Sequence, residues 1–348
     1  MAPSASTLGL EVIALKSTDF ADYKDEWRLL ESRSAEATPF LSHDWLAAWL
    51  RAYEPKRVAL VRVSEPDGTT TALGLLEQGG HGRWYFAGAP VTSQRGLLCA
   101  TDLEGRSWHA LGSWLAEHRR DWVTLVGEGV TAGAAVLPSA RLVAAPVVVV
   151  DLPDSFDAYL AARSRHCERE MRRKLRLLEK RGLELRRPLD AGRALGELVR
   201  LHGIRAESKN ESHPQVDSRL VRMLASLVDA SATRLAMLEL AIGERTLGVI
   251  AGLEYGDTLY AYNSGVDTTE PGLSPGIVLM LGLFQCAIAD GFRRIDLGPG
   301  EYRYKHELGG TPVERFQLAA SSPTLAATTI RFAAPRAAAA RSWFRRRG

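Results

Sequence analysis

The stretch Arg234–Gly309 constrains the fold more than any other part of the chain. It reads as a two-strand hairpin, a third strand, a Ser-Pro-Gly turn, an almost wholly apolar helix, a fourth strand and a short helix rich in Tyr, Lys and Glu. Leu235–Ala241 (LAMLELA) and Thr246–Tyr255 (TLGVIAGLEY) flank Gly243-Glu244-Arg245, which has the composition of a hairpin loop. Thr258–Asn263 (TLYAYN) and Arg294–Leu297 (RIDL) are further β-rich runs. Ser274-Pro275-Gly276 predicts the start of a helix from Ile277 to Asp290, with Gly291 as its C-terminal cap. Apolar on nearly every face, that helix belongs against a sheet rather than on the surface. A strand leading through a glycine-bearing turn to a helix N-terminus also holds anions in many proteins. An ordinary capped core helix would carry the same three residues.

The same order of elements occurs earlier. Arg57–Ser64 and Thr70–Glu77 flank the turn Glu65-Pro66-Asp67-Gly68. Arg83–Gly88 then reads as a strand, Arg106–His118 as a helix beyond a loop with Gly96, and Trp122–Val126 as a strand. Self-similarity between residues 57–126 and 234–297 predicts two copies of one α/β unit. The first copy lacks a Ser-Pro-Gly helix start, so only the second is expected to keep a ligand site. Arg141–Leu152, rich in Val, reads as one central strand at the junction. Ahead of the first copy, Leu10–Lys16 reads as a strand, and Thr18–Ala35 and Trp45–Tyr53 as helices. The expected class is α/β (α+β), with mixed sheets flanked by helices. At 348 residues there is room for two cores.

Charge separates the rest. Residues 163–187 hold eleven Arg and Lys against four Glu, and residues 331–347 six Arg and no acid, within a chain of net charge +3. Ser164 caps a predicted helix, Arg165–Arg181, that ends at Gly182. At 100° per residue, Cys167, Met171, Leu175 and Leu178 share one face, and Arg165, Arg169, Arg172, Arg173, Arg176 and Lys180 share the opposite one. Glu168–Arg172 and Glu170–Lys174 have the spacing of helical ion pairs. A solvated face and a surface for a polyanion both fit this pattern. Beyond it come a strand, Leu183–Arg187, and two helices, Leu195–Arg205 and Ser218–Asp229, separated by a polar loop. The Arg-rich tail, ending Trp343-Phe344-Arg345-Arg346-Arg347, reads either as a solvated tail or as a weak anchor on anionic lipid. Three scattered cysteines without metal spacing, and the lack of an apolar run of roughly 18 residues or a basic leader before one, predict a cytoplasmic protein with no metal site.

Several motifs carry a family resemblance. They are Pro39-Phe40-Leu41-Ser42 before a Trp-rich helix, the Arg-rich segment Arg165–Arg181 with Gly182 and a strand, Leu201-His202, and Leu273-Ser274-Pro275-Gly276. The last is Ile295-Asp296-Leu297-Gly298 with Glu301, Tyr304-Lys305 and Leu308-Gly309. The chain resembles, over residues 8–320, the CelD-like (BcsL-like) branch of the GNAT acyltransferases, which is related to the FemABX transferases. That branch usually reads Asp-Phe-Gly-Arg-Gly-Asp-Glu-Pro-Tyr-Lys at the C-terminal block. Here Leu297 replaces the Phe, Pro299 the Arg, and Glu301 follows Gly300 directly.

The resemblance implies tandem GNAT-like domains: a degenerate one over residues 8–152, a basic helical insertion over 153–182, a donor-binding one over 183–322 and a flexible basic tail over 323–348. It further implies acyl transfer from acetyl-CoA or another acyl-CoA to an amine or amino-sugar acceptor. The acceptor would be a small molecule or saccharide, with or without phosphate. The pyrophosphate would sit at Leu273, Ser274, Pro275, Gly276 and Ile277, with the pantetheine alongside Leu259, Tyr260 and Asn263. Direct transfer needs a base for the amine and an acid for the leaving thiolate. Asp296 or Glu301 would supply the base and Tyr304 the acid, with Lys305 beside them. For Asp296, a hydrogen bond to the glycine turn is an equal alternative. Arg165, Arg169, Arg172, Arg173 and His202 would hold the acceptor, although a histidine on an amphipathic helix is more often a satisfied structural residue. A charged tRNA as aminoacyl donor, as in FemABX proteins, and a non-catalytic binding protein are the competing expectations.

Overall fold

The computed structural model describes residues 8–209, 217–267, 269 and 274–323. Leu273, the leader 1–7 and the basic tail lie outside the described residues. In chain order the elements are β1 (Gly9–Leu15), α1 (Lys24–Ser32), α2 (His43–Tyr53), β2 (Val58–Ser64), β3 (Thr70–Gln78), β4 (Arg83–Phe86), β5 (Leu98–Cys99), α3 (Glu104–Glu117), β6 (Thr124–Val130) and β7 (Arg141–Ala144). They continue with β8 (Val147–Asp151), α4 (Phe156–Ala161), α5 (Arg165–Lys180), β9 (Glu184–Arg186), α6 (Ala191–Lys209), α7 (Ser218–Ala225), β10 (Arg234–Ile242) and β11 (Arg245–Tyr255). The last are β12 (Thr258–Val266), α8 (Pro275–Ala289), β13 (Arg294–Pro299), α9 (Arg303–Glu307), β14 (Thr311–Val313) and β15 (Phe316–Ser321).

Two compact units result. Among the described residues the first holds 8–50, 54–146 and 314–323, and the second 51–53 and 147–313. The first sheet runs β1-β2-β3-β4-β6-β15-β7, and the second, taken from its other end, β9-β10-β11-β12-β13-β8-β14. Place by place the two are the same. In each, a parallel pair joins the fourth and fifth strands, β4–β6 and β12–β13. The sixth strand of each sheet follows, in the chain, the seventh strand of the other. The expected repeat is therefore present, with its last strands exchanged.

That exchange corrects two sequence expectations. Arg141–Leu152 is not one strand: Ala145 and Pro146 divide it, and β7 and β8 enter different sheets. Pro146 has no N–H for a ladder, so a break there is natural. Residues 316–321, expected in the second unit, return to the first as β15 between β6 and β7. Thr18–Ala35 is a 3₁₀ turn, Asp19–Tyr23, followed by the shorter α1.

Each helix buries the stripe its sequence predicts. In α3, Trp108, Leu111 and Leu115 are spaced for one face and are at most 2% exposed. In α8, Val278, Leu279, Leu281, Phe284 and Ala287 are buried from more than one side, as its composition requires. Gly282 lets α8 approach β10: a Cβ there would lie 2.7 Å from Leu238 Cδ2. The helix closes as expected. Gly291 has φ +81°, its N–H donates to Ile288 O at 3.1 Å, and Phe292 N–H donates to Ala287 O at 3.0 Å, the two bonds of a Schellman cap.

Candidate active site

The site is set by where β12 and β13 stop pairing. They are in register for three residues, Thr258 with Arg294, Leu259 with Ile295 and Tyr260 with Asp296. Past that point β12 runs on to Val266 and β13 to Pro299 without pairing to each other. A bulge in β12 between its pairings at Ala261 and Asn263 helps the strands diverge. β8 backs the other edge of β13, with Val149 opposite Asp296. Past their last pairing the facing edges of β12 and β13 no longer bond each other, and an extended amide-bearing chain could lie between them as an added strand would.

The equivalent place in the first unit is occupied by the unit's own chain. Beyond Phe86, Arg95 exchanges backbone hydrogen bonds with Glu128 of β6 at 2.6 and 3.0 Å, and its guanidinium bonds the Glu128 carboxylate at 2.9 Å. The chain then crosses to β3, where β5 pairs. Gly127 is required there, since a Cβ would come within 2.9 Å of Arg95 O. An extended ligand has no room in that wedge.

α8 starts near the far end of β12, past the point where β12 and β13 part: Leu279, in its second turn, stands beside Gly248, which pairs with Val266. Pro275 takes the first helical position, and Ser274 precedes it with φ +52°, a left-handed conformation in place of the extended one common at N-caps. Its side chain does not cap the helix. Instead Ser274 Oγ accepts a hydrogen bond from Lys174 Nζ at 2.8 Å. A Cβ on Gly276 would meet nothing within 4 Å among the described residues. Burial, and secondarily the charge of Arg173, hold the Lys174 pKa below the usual lysine value. A cation next to the positive end of a helix is unfavourable by itself and favourable once an anion joins both.

Lys174 was not among the residues the sequence singled out for the site. Its spacing from Glu170 pointed to a helical ion pair, but Glu170 takes Arg173 at 3.0 Å. The signal was available in the wheel of α5. Lys174 falls opposite the Arg stripe, on the side that carries Met171, Leu175 and Leu178 against the core of the second unit.

The remaining members of the Arg stripe are less alike than the wheel implies. Arg172 is neutralised by Glu168 at 3.0 Å and Asp157 at 3.2 Å, and Arg173 by Glu170. Arg165, Arg169 and Arg176 are exposed. The expected stripe of uncompensated charge is thus reduced to part of its length.

The C-terminal block folds into one tight structure. Asp296 Oδ1 accepts the Gly298 N–H at 2.6 Å, the glycine-turn bond. Gly298 and Gly300 have φ +76° and +89°, and Tyr302 packs where a Gly300 side chain would be. Lys305 is 2% exposed and donates from Nζ to Gly298 O and Pro299 O, both at 2.8 Å. Its ammonium lies 5.5 Å from the Tyr302 ring centroid. Burial pushes its pKa down to about 8, against the pull of the Asp296 charge. Lys305 therefore ties the turn together from inside, while Glu301 and Tyr304 face solvent; Glu301 stands 3.9 Å from His306 Nε2. Arg163 and Tyr159 both donate to Leu308 O, at 3.1 and 2.9 Å, and fix the end of α9.

Of the other expected residues, the structure brings Asn263 and His202 together: His202 Nε2 and Asn263 Oδ1 are 2.8 Å apart, joining α6 to the diverging part of β12. Leu259 is 2% exposed and Tyr260 8%, in the paired part of β12 before the wedge opens. Ile277 is half-buried in the first turn of α8.

Residues 165–306 match the family model described as an acetyltransferase (GNAT) domain. The second unit carries a GNAT domain. The match starts with α5 and ends in α9, so it takes in the wedge, the start of α8 and the 296–305 turn. No curated protein matches the chain in sequence. Among solved structures, FemX superposes with a TM-score of 0.65 at 10% identity, covering 92% of this chain and 99% of that one. A conserved protein of unknown function from Bacteroides thetaiotaomicron VPI-5482 gives 0.58 at 12% identity, with 90% and 100% covered. L-PGS from Bacillus licheniformis gives 0.54 at 12% identity, with 88% and 94% covered. These likenesses establish the shared fold over nearly the whole chain, and with the GNAT domain they support an acyltransferase.

Proposed function

We propose that the chain is an acyl-CoA-dependent N-acyltransferase of the CelD-like branch, acting in the cytoplasm with acetyl-CoA as donor and an amine or amino-sugar as acceptor. The observation that carries this is the wedge beyond Tyr260 and Asp296, with the N-terminus of α8 and Lys174 near the far end of β12. The pantetheine lies in the wedge along Ala261–Asn263, its amides meeting the backbone there, and the pyrophosphate meets Gly276, Ser274 and Lys174. Among the described residues nothing lies close to where a Gly276 side chain would be, which suits that group.

The acceptor amine, once deprotonated, attacks the thioester carbonyl. The C–N bond forms, the C–S bond of the tetrahedral intermediate breaks, and the thiolate leaves with a proton. Glu301 is the better candidate for the base, because Asp296 is committed to the Gly298 turn. Tyr304, 39% exposed, supplies the proton to the thiolate. Lys305 acts through the turn it holds, not as a proton carrier to substrate. Arg165, Arg169 and Arg176 remain available for a phosphate on the acceptor, and holding both reactants in place supplies much of the rate enhancement.

Calorimetry with acetyl-CoA tests this: wild type should bind one equivalent per chain, since the first wedge is filled by Arg95, and Gly276→Trp should bind none. Two equivalents, or no binding of any acyl-CoA by wild type, would sink the reading. A second reading, aminoacyl transfer from charged tRNA, is favoured by the full-length likeness to FemX together with the basic helix α5. A tRNA gel shift abolished by Arg165→Glu, Arg169→Glu and Arg176→Glu together, with no acetyl-CoA binding, would select it.

A further inference from the structure

The first unit, which has no open wedge, contains a cavity of about 100 Å³ between β5, the start of α3 and the end of β6. Set against the ~30 Å³ share of a water molecule, this is room for about three waters, or a ligand of about four non-hydrogen atoms. Gln94 lines it, is 8% exposed, and its amide has no hydrogen-bond partner among the described residues. The amide keeps some accessible surface, so it is open to water or to a ligand there rather than sealed without a partner.

Two carboxylates line the same space. Glu104 accepts from the Thr131 hydroxyl, and Glu36 is paired with the Arg315 guanidinium. Burial raises the Glu36 pKa above the ordinary carboxylate range, and the Glu104 charge adds to this against the pull of Arg315. Two carboxylates against one guanidinium leave a single negative charge. Thr101 adds a hydroxyl, and the rest of the wall is mainly apolar, chiefly Leu97, Trp108 and Val130.

We infer that this cavity binds a small primary ammonium compound, a short alkylamine or amino alcohol. Its three N–H donors go to Glu36, Glu104 and Gln94, and its carbon stem lies against Leu97, Trp108 and Val130. The number of acceptors equals the number of donors on an ammonium, and one positive charge balances the site. A hydrated divalent cation fits less well, because apolar walls cannot receive the water shell it retains. The inference does not depend on acyl transfer in the second unit.

The test uses the full chain and propylammonium chloride as probe, with 1-propanol, NaCl and CaCl₂ as controls at constant ionic strength. Thermal unfolding and ligand-observed NMR should show saturable binding of propylammonium by wild type and none of 1-propanol. Glu104→Gln, whose amide oxygen can keep the Thr131 bond, and Gln94→Leu should each weaken binding about tenfold or more. Arg141→Ala, an exposed residue of the same unit that does not line the cavity, should leave it unchanged. Equal responses to propylammonium and 1-propanol, no response by wild type, undiminished binding by both cavity variants, or stabilisation by CaCl₂ alone would each overturn the inference.

Discussion

Lys305 gives the clearest thermodynamic test of how the C-terminal block is built. Its ammonium is buried under the Gly298–Gly300 turn, and its pKa falls from 10.5 to about 8 because desolvation outweighs the Asp296 charge. A lowered lysine pKa means that, between those values, the unfolded chain binds a proton the folded chain does not. Stability from this group therefore rises with pH across pH 8 to 10.5. At about 1.4 kcal/mol per pH unit, the full interval is worth about 3 kcal/mol. A neutral amine still has two N–H donors for Gly298 O and Pro299 O, so deprotonation does not break the turn. The assay is urea unfolding of wild type and Lys305→Met at several pH values from 7 to 10.5, read as the difference between the two proteins. Other titrating groups cancel in that difference. The two carbonyls stranded by methionine add a pH-independent offset of about 1–3 kcal/mol each. The difference should grow with pH in favour of wild type by about 3 kcal/mol. A difference flat to within about 0.5 kcal/mol, the usual limit of additivity, would refute the reasoning, as would one that falls with pH. Either would show that the carbonyls stabilise the ammonium as well as water does.

Two further changes probe the site's supports. Gly309→Ala places a Cβ at φ +91° and 1.1 Å from Arg163 Nη1, so Arg163 must leave Leu308 O; a loss of about 2–4 kcal/mol is expected by urea unfolding, and the double variant with Arg163→Ala should recover only the steric part. Lys174→Gln should weaken acetyl-CoA binding by roughly tenfold, about the worth of one charge-assisted hydrogen bond, and flatten its salt dependence in calorimetry. Unchanged affinity at low salt would remove Lys174 from the anion site.

Much of this arrangement was legible because it rests on local chemistry. The hairpin β10–β11, the apolar α8 with its Pro start and Gly stop, and the repeat of element order each follow from periodicity and turn residues, and the structure contains them. The glycine-turn bond of Asp296 was one of two readings open in the sequence, and the structure contains that bond. Lys174 was not legible as a site residue because its nearest carboxylate in sequence, Glu170, is at helical pairing distance. Which of two neighbouring cations Glu170 takes depends on what lies across from α5, and that is a tertiary fact. The burial of Lys305 was hidden for a similar reason: a lysine between a tyrosine and a histidine on a five-residue helix reads as solvated until the turn carbonyls are placed above it.

The exchanged strands are the part that no local signal encodes, and they bear directly on the site. Val147–Asp151 has the same β-rich, alternating character whichever sheet receives it, so composition cannot say where it pairs. In the structure it pairs with β13, Val149 opposite Asp296, and holds the edge of the strand that forms one wall of the wedge. The 296–305 block therefore depends on residues encoded before α5, and a fragment beginning at residue 183 would lack both that wall's support and Lys174. Reciprocally, β6 of the first unit is backed by β15, the last strand described. Removing residues 316–321 would open the edge of β6 and leave a row of unpaired backbone groups where the first sheet has none. A duplicated unit in which each copy completes the other in this way cannot be cut at the boundary its sequence repeat marks.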